Sequence, residues 1–319
     1  MVLLLTEADV RSLFTMEMAL EAVEEGFRGL ADGTAVNLPR RRIMMPNGVF
    51  HLMASVVGAR QSLGVKAYAT FGGRVDFLIP LYDSETGRMQ ALIEADWLGR
   101  ARTGAASGVA SRHMARPDAR TMGLFGTGGQ ARTQLLAVCA VRPLERVHVY
   151  SRDPQKRAAF VTEMQPQVTA RLVPVDDPRA AVEGMDIITT MTSAAQPVFD
   201  GQWLGPGTHI NAAGSNHLRR RELDGRAVQR CERIAADSVE QARLEAGDLA
   251  GAVAEGLLAW EAVLEFADIA GGRQPGRASP DEITLFESQG ISVWDIAAAA
   301  RVYELARERN MGQPIPLFD

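Results

Sequence analysis

Apolar positions change their spacing along this chain, and the changes mark out different kinds of structure. After Thr15, residues Ala19, Leu20, Val23, Phe27 and Leu30 recur at helical intervals, with Gly33 just beyond. That pattern predicts an amphipathic helix over about 16–31 with a glycine stop. Short β-type runs follow at 41–45, 49–56, 63–70, 77–82 and 90–94, the last two joined by the turn Asp83-Ser84-Glu85-Thr86-Gly87. Strands in succession with no helix between them predict an antiparallel sheet or partial barrel. The opening apolar residues 1–5 are cut off by Thr6-Glu7-Ala8-Asp9 and lack a basic flank, so they read as a buried strand and not as a secretory core.

Residues 95–115 are rich in Ala, Gly and Ser around Arg102-Thr103, a composition that permits close backbone approach, and Pro117 ends that helix. From Arg120 the pattern alternates: strands at 121–125, 147–150, 171–175, 186–190, 209–212 and 233–236, helices at 130–140 and 180–183. Such alternation predicts a doubly wound parallel sheet. The apolar-faced stretch 294–309 predicts a helix that packs back on the first part. The fold class is therefore α/β: a Rossmann-type doubly wound parallel sheet over 117–292, beside a smaller α+β domain formed by 1–116 plus 293–319.

Composition narrows the function. The net charge of −5 and the absence of a long basic run argue against a nucleic-acid groove. No apolar run approaches a membrane span, and two cysteines do not make a disulfide scaffold. These features suggest a soluble, cytoplasmic protein. Five scattered histidines, none at ligand spacing from Cys, Asp or Glu, predict no metal site. Lys66 and Lys156 are the two lysines among 34 Lys and Arg residues. Arg stays protonated in proteins, whereas Lys can titrate and donate a proton. Lys156 lies in a polar stretch and needs no special account. Lys66 lies in the strand pattern 63–70, either facing water at a sheet edge or turned inward as a functional group.

Gly126-Thr127-Gly128-Gly129-Gln130-Ala131 follows a predicted strand and opens a predicted helix, the context that the dinucleotide fingerprint requires. Gly126 suits the tight turn, Gly128 lets backbone approach a pyrophosphate, and Ala131 lets the helix pack on the strand. The helix N-terminus adds unpaired N–H groups and a positive dipole end. The next strand ends Tyr150-Ser151-Arg152, with no acid for a ribose hydroxyl at Tyr150 or Ser151. A small hydroxyl and an arginine favour NADP, while nearby Asp153 leaves NAD open.

Several runs in family order resemble the ornithine cyclodeaminase/mu-crystallin family: Leu92-Ile93-Glu94-Ala95-Asp96, Arg102-Thr103-Gly104-Ala105-Ala106-Ser107, Ile210-Asn211-Ala212-Ala213-Gly214, Arg221-Glu222-Leu223-Asp224, Gly247-Asp248-Leu249 and Glu282-Ile283-Thr284-Leu285-Phe286. The resemblance implies a homodimer formed through the N-terminal, substrate-binding domain, and an active site between the domains. It also implies that Arg41, Lys66 and Arg102 hold a substrate carboxylate, with Arg40 or Arg42 able to take the place of Arg41 by register. If Thr103 caps a helix, Arg102 also stands beside a helix N-terminus. Lys66 is the expected proton donor. Thr103, Thr192, Ser193, Asn216, Ser288 and Gly290 are expected around the cofactor together with the glycine turn, Ser151 and Arg152.

Where cyclodeaminases carry an aspartate after the Asn-Ala-x-Gly run, this chain has Asn216, and an amide is no general base at neutral pH. His217 could replace the acid, or serve only as a hydrogen-bonding partner. A second departure, Arg74-Val75-Asp76-Phe77, implies a different side-chain pocket. The expected activity is NAD(P)H-dependent reduction of small ketimines or imino acids such as pyrroline-2-carboxylate, or amino-acid dehydrogenation in reverse. The alternatives are ornithine cyclodeamination and non-catalytic, NADP-dependent binding.

Overall fold

The computed structural model describes residues 1–317, the Arg74 side chain excepted. The expected first domain extends to Asp319, so its last two residues lie outside the described residues. By contact density the chain divides into two compact units, 1–102 with 291–319 and 103–290. The division falls inside one helix, Asp96–Met114.

The first unit is built on a seven-stranded sheet in the order Gln313–Ile315, Val2–Leu5, Met89–Glu94, Arg74–Asp83, Ser62–Phe71, Gly48–Val57 and Ala35–Met45. Five of these are the β-type runs of the sequence, paired antiparallel as expected. Val2–Leu5 departs from that rule and pairs parallel with Met89–Glu94. Two helices cover one face. Met16–Asp32 buries Ala19, Leu20, Val23 and Phe27, and Gly33 closes it at φ 81°. Ser292–Glu308 buries nearly its whole first half, and its Trp294 meets Phe27 edge-on at 5.0 Å. Asn37 Oδ1 accepts the N–H of Ser292 at 3.0 Å and so ties the start of that helix to the sheet.

The second unit carries an eight-stranded, all-parallel sheet in the order Val263–Glu265, Arg233–Ala236, Thr284–Glu287, His209–Ala212, Ile187–Thr190, Thr121–Phe125, Arg146–Tyr150 and Arg171–Pro174. Strands buried on both faces read as short apolar runs, which is why six of them were legible. Two further strands complete the sheet: Val263–Glu265 at its edge, and Thr284–Glu287 between His209–Ala212 and Arg233–Ala236. Residues 180–183, expected as a helix, form part of the 3₁₀ turn Pro178–Ala181. Its Ala181 carbonyl lies where a Cβ on Gly123 would intrude, so Gly123 is required by this approach. Among the described residues no helix is long and apolar enough to cross a membrane.

Candidate functional site

In the second unit the strand Thr121–Phe125 runs into the glycine turn, and the helix Gly129–Val141 begins at once. Gly126 adopts φ 109°, and a Cβ there would lie 2.2 Å from the Met191 carbonyl oxygen, so both conformation and space demand glycine. A Cβ on Gly128 would meet nothing within 4 Å, because that position opens onto a cavity of about 1270 Å³. The cavity is larger than the roughly 300–1,000 Å³ of sites for drug-sized ligands, which suits an extended dinucleotide. The first N–H groups of the helix have no side-chain cap. They are left for phosphate oxygens. Arg132 braces the turn from behind, donating to Gly128 O at 2.9 Å while it pairs with Glu163.

Of the expected cofactor residues, Gly126, Thr127, Gly128, Gly129, Gln130 and Ala131 line this cavity with Ser151, Arg152, Thr192 and Ser193. Thr103, Asn216, Ser288 and Gly290 do not line it. Thr103 lies within the helix Asp96–Met114 and caps nothing. Arg102 is likewise a mid-helix residue, so the helix-dipole argument for it does not apply. Ser288 and Gly290 are held in a buried turn whose N–H and hydroxyl groups converge on Asp237 Oδ2. Asn216 is exposed, and neighbouring His217 uses Nδ1 to accept the Arg219 N–H at 3.1 Å, a local turn contact.

Two residues that line or brace this cavity were not assigned to it from the sequence. Lys156 lines the same end as Ser151 and Arg152. Asp153 caps the helix Pro154–Met164 by accepting the N–H groups of Gln155 and Lys156. Glu222 is the second. Buried, it accepts Thr192 N and Oγ1 at 2.7 and 2.6 Å, Thr190 Oγ1 at 2.9 Å and Gly214 N at 2.8 Å. It therefore fixes two walls of the cavity to each other. Burial raises its pKa despite these donors. Its place in the Arg221-Glu222-Leu223-Asp224 run was the available signal.

The first unit gathers the charges. Lys66 is buried in a central strand, and its Nζ lies 2.6 Å from Asp295 Oδ1. Arg102 Nε reaches the same oxygen at 3.0 Å. Arg40 is also buried, and its charge acts on Lys66. Arg41 is exposed and pairs across the sheet with Leu52, on the face away from Lys66. A β-bulge explains the change of register. Leu38 faces Ala54 and Arg41 faces Leu52, so Pro39 and Arg40 together span one partner step and Arg40 turns inward. The arginine beside Lys66 is thus Arg40 and not Arg41.

Burial pulls the Lys66 pKa down to about 8, with Arg102 and Arg40 acting in the same direction and Asp295 against it. The ammonium also lies 4.8 Å from the centre of the Phe77 ring and 5.9 Å from that of Tyr68. Tyr68 in turn stacks on His51 at 4.3 Å. Phe77 belongs to the divergent 74–77 run, whose Arg74 side chain lies outside the described residues. Arg102 Nη1 and Asp295 Oδ2 are buried with no hydrogen-bond partner among the described residues. Lys66 and Arg102 thus meet on one oxygen of Asp295 beside buried Arg40, and Arg102 Nη1 is left as a donor suited to an anion. Among the described residues no group of three His, Cys, Asp or Glu side chains could hold a metal ion.

Comparison with known proteins agrees with this geometry. The family model described as the ornithine cyclodeaminase/mu-crystallin family matches residues 1–310. A Delta(1)-pyrroline-2-carboxylate reductase of Bacillus cereus is 38% identical over 272 residues, 83% of each chain. The structure of the Thermococcus litoralis Delta(1)-pyrroline-2-carboxylate reductase, in complex with NADH and L-proline, superposes with a TM-score of 0.94 at 36% identity, over 98% of this chain and 100% of that one. An archaeal alanine dehydrogenase dimer with bound NAD gives 0.92 at 32% identity, over 99% of each chain.

Proposed function

This chain belongs to the ornithine cyclodeaminase/mu-crystallin family, and we propose on that premise that it is an NAD(P)H-dependent reductase of small 2-imino acids, acting as an amino-acid dehydrogenase in reverse. The observation that carries the reading is the buried cluster of Arg40, Lys66 and Arg102, in which Lys66 and Arg102 share one Asp295 oxygen and Arg102 Nη1 has no hydrogen-bond partner among the described residues. A substrate carboxylate satisfies that donor by a charge-assisted hydrogen bond. When bound, the nicotinamide supplies the hydride for the C=N carbon. As that bond forms, the C=N electron pair moves to nitrogen, and Lys66 Nζ gives the nitrogen a proton that the lysine regains from water.

The cofactor in this reading is NADP. Arg152 and Lys156 bring two cations to the ribose end of the cavity beside the Ser151 hydroxyl, and the Asp153 carboxylate is engaged in capping a helix. A 2′-phosphate suits that surface better than a bare ribose hydroxyl. Asn216, in place of the cyclodeaminase acid, sets the lyase reading second.

The active form in this reading is a homodimer. Val36, Leu38, Ile43, Leu52 and Leu78 are exposed, and the strand registers put them on one face of the first unit's sheet, opposite Lys66. A second copy of this chain covers that apolar face, as the dimer of the alanine dehydrogenase relative suggests.

Absorbance at the reduced-nicotinamide band, with pyrroline-2-carboxylate and either NADPH or NADH, tests the activity. Oxidation that disappears in a Lys66→Ala protein still able to bind cofactor supports the reductase. Ammonia release from ornithine with no net oxidation overturns it.

A further inference from the structure

Asp295 has no part in the reaction as described, yet it is wholly buried at the centre of the charged cluster. It stands in the first turn of the helix Ser292–Glu308, where the N-terminal dipole end favours an acid. Its bonding is lopsided. Oδ1 receives both Lys66 Nζ and Arg102 Nε, while Oδ2 has no partner. A carboxylate placed to neutralise Arg102 would take the two-point fork that a guanidinium offers. Here Arg102 contributes Nε alone, and the shorter contact goes to the lysine. Buried polar atoms left unsatisfied call for an explanation in function.

The surroundings of Lys66 supply one. The strand Ala35–Met45 presents Arg40, and Gly48–Val57 presents Met53 opposite Lys66, with His51 beyond on the Tyr68 ring. Tyr68 comes from the lysine's own strand and Phe77 from Arg74–Asp83. The helix Asp96–Met114 presents Arg102 and also Gly99, where a Cβ would lie 3.2 Å from Nζ. Asp295 completes the shell. Burial, Arg40 and Arg102 all disfavour the ammonium, and Asp295 is the acid that favours it. Without a counter-charge a lysine in this place would lose its proton near neutrality and could not donate it.

We infer that Asp295 is a positioning residue that keeps Lys66 charged and aimed, so that the strand lysine remains a proton donor at neutral pH. The inference rests on the reading of Lys66 as the donor. Because Oδ1 alone holds both cations, the same carboxylate sets the spacing between the proton donor and the carboxylate-binding arginine.

The test compares wild type, Asp295→Asn, Asp295→Glu and Lys66→Ala as full-length proteins. Imine reduction is followed from pH 5 to 10 and NADPH binding is measured directly. The wild-type rate is expected to fall as pH rises through about 8, the Lys66 value. In Asp295→Asn the falling limb should move at least one unit lower, NADPH affinity should stay within about two-fold, and Asp295→Glu should restore most of the shift. A uniform loss of rate with the limb unmoved would overturn the inference and leave Asp295 a packing residue. If Lys66→Ala keeps both rate and limb, the donor reading itself fails, and that outcome is distinct. Should Asp295→Asn not fold, wild-type protein labelled with [13C]lysine gives the answer without a variant at 295. The chain has two lysines, so two Cε signals appear, and Lys156→Arg identifies the exposed one. Titration of the Lys66 signal near pH 8 supports the inference, and a neutral Lys66 below pH 7 overturns it.

Discussion

At the scale of single residues, one extra position in a strand decides which arginine of the triplet faces Lys66. The triplet Arg40-Arg41-Arg42 offers three cations at consecutive positions, and strict alternation would send two of them to one face. The bulge at Pro39 and Arg40 sets the phase, so Arg41 shares the exposed face of Leu38 and Leu52 and Arg40 takes the face of Lys66. Arg40→Ala is therefore expected to raise KM for the imino acid roughly 10- to 100-fold, the loss of a hydrogen bond to a charged group worth about 1.5–3 kcal/mol. Arg41→Ala should leave KM within about two-fold, since Arg41 is exposed on the other face. Steady-state kinetics on the two variants separates them. At the cofactor end, Arg152→Ala with Lys156→Ala should lower the preference for NADPH over NADH by about ten-fold or more, the effect of losing at least 1.4 kcal/mol of charge pairing. An unchanged ratio of kcat/KM values would remove the basis for choosing NADP.

At the scale of elements, buried carboxylates fasten loops that strands and helices alone leave open. Glu222 ties the loop after Ile187–Thr190 to the loop after His209–Ala212 through Thr192 and Gly214. Glu222→Gln keeps the shape but converts two acceptor oxygens into one acceptor and one donor. Facing the N–H groups of Thr192 and Gly214, the new amide should raise KM for the cofactor about ten-fold while kcat changes less. A second acid, Glu287, is buried near Asp248, Glu222 and Asp237, and burial with those like charges lifts its pKa well above the ordinary carboxylate range. The folded state thus holds a proton that the unfolded chain sheds above about pH 4.3. Stability from this group is present at low pH and is lost as pH rises toward the folded value. Glu287→Gln carries no charge at any pH, so its gain in Tm over wild type should be small at pH 5 and grow toward pH 8. A difference that does not change with pH would count against this account.

At the scale of the whole molecule, the exposed apolar face of the first sheet bears on assembly. A patch of Val36, Leu38, Ile43, Leu52 and Leu78 is unusual on a protein that works alone. Leu38→Glu with Leu52→Glu should yield a monomer by light scattering, with cofactor affinity retained because the dinucleotide cavity is lined by residues 125–214. A double variant that remains dimeric would place the interface elsewhere.

The dinucleotide fold was legible because its physics is local. A strand, a glycine turn and a helix start occupy adjacent residues, so Gly126 to Ala131 could be read from order alone, and apolar runs announced six parallel strands. Residue type and motif singled out Lys66 and Arg102, and the structure brings both to Asp295 Oδ1. What a one-dimensional reading could not supply were contacts between residues far apart in the chain and breaks in local regularity. Arg102 looked like a neighbour of a helix start, but the helix begins at Asp96, since its small residues form one continuous run. Arg41 and Arg40 could not be told apart until the bulge fixed which of them faces Lys66. Asp295, 229 positions from Lys66 in sequence, was not singled out, because nothing nearby in the chain marks the lysine it meets. Local order names the cofactor turn, while the charge balance around Lys66 exists only when a strand, two helices and a bulge have come together.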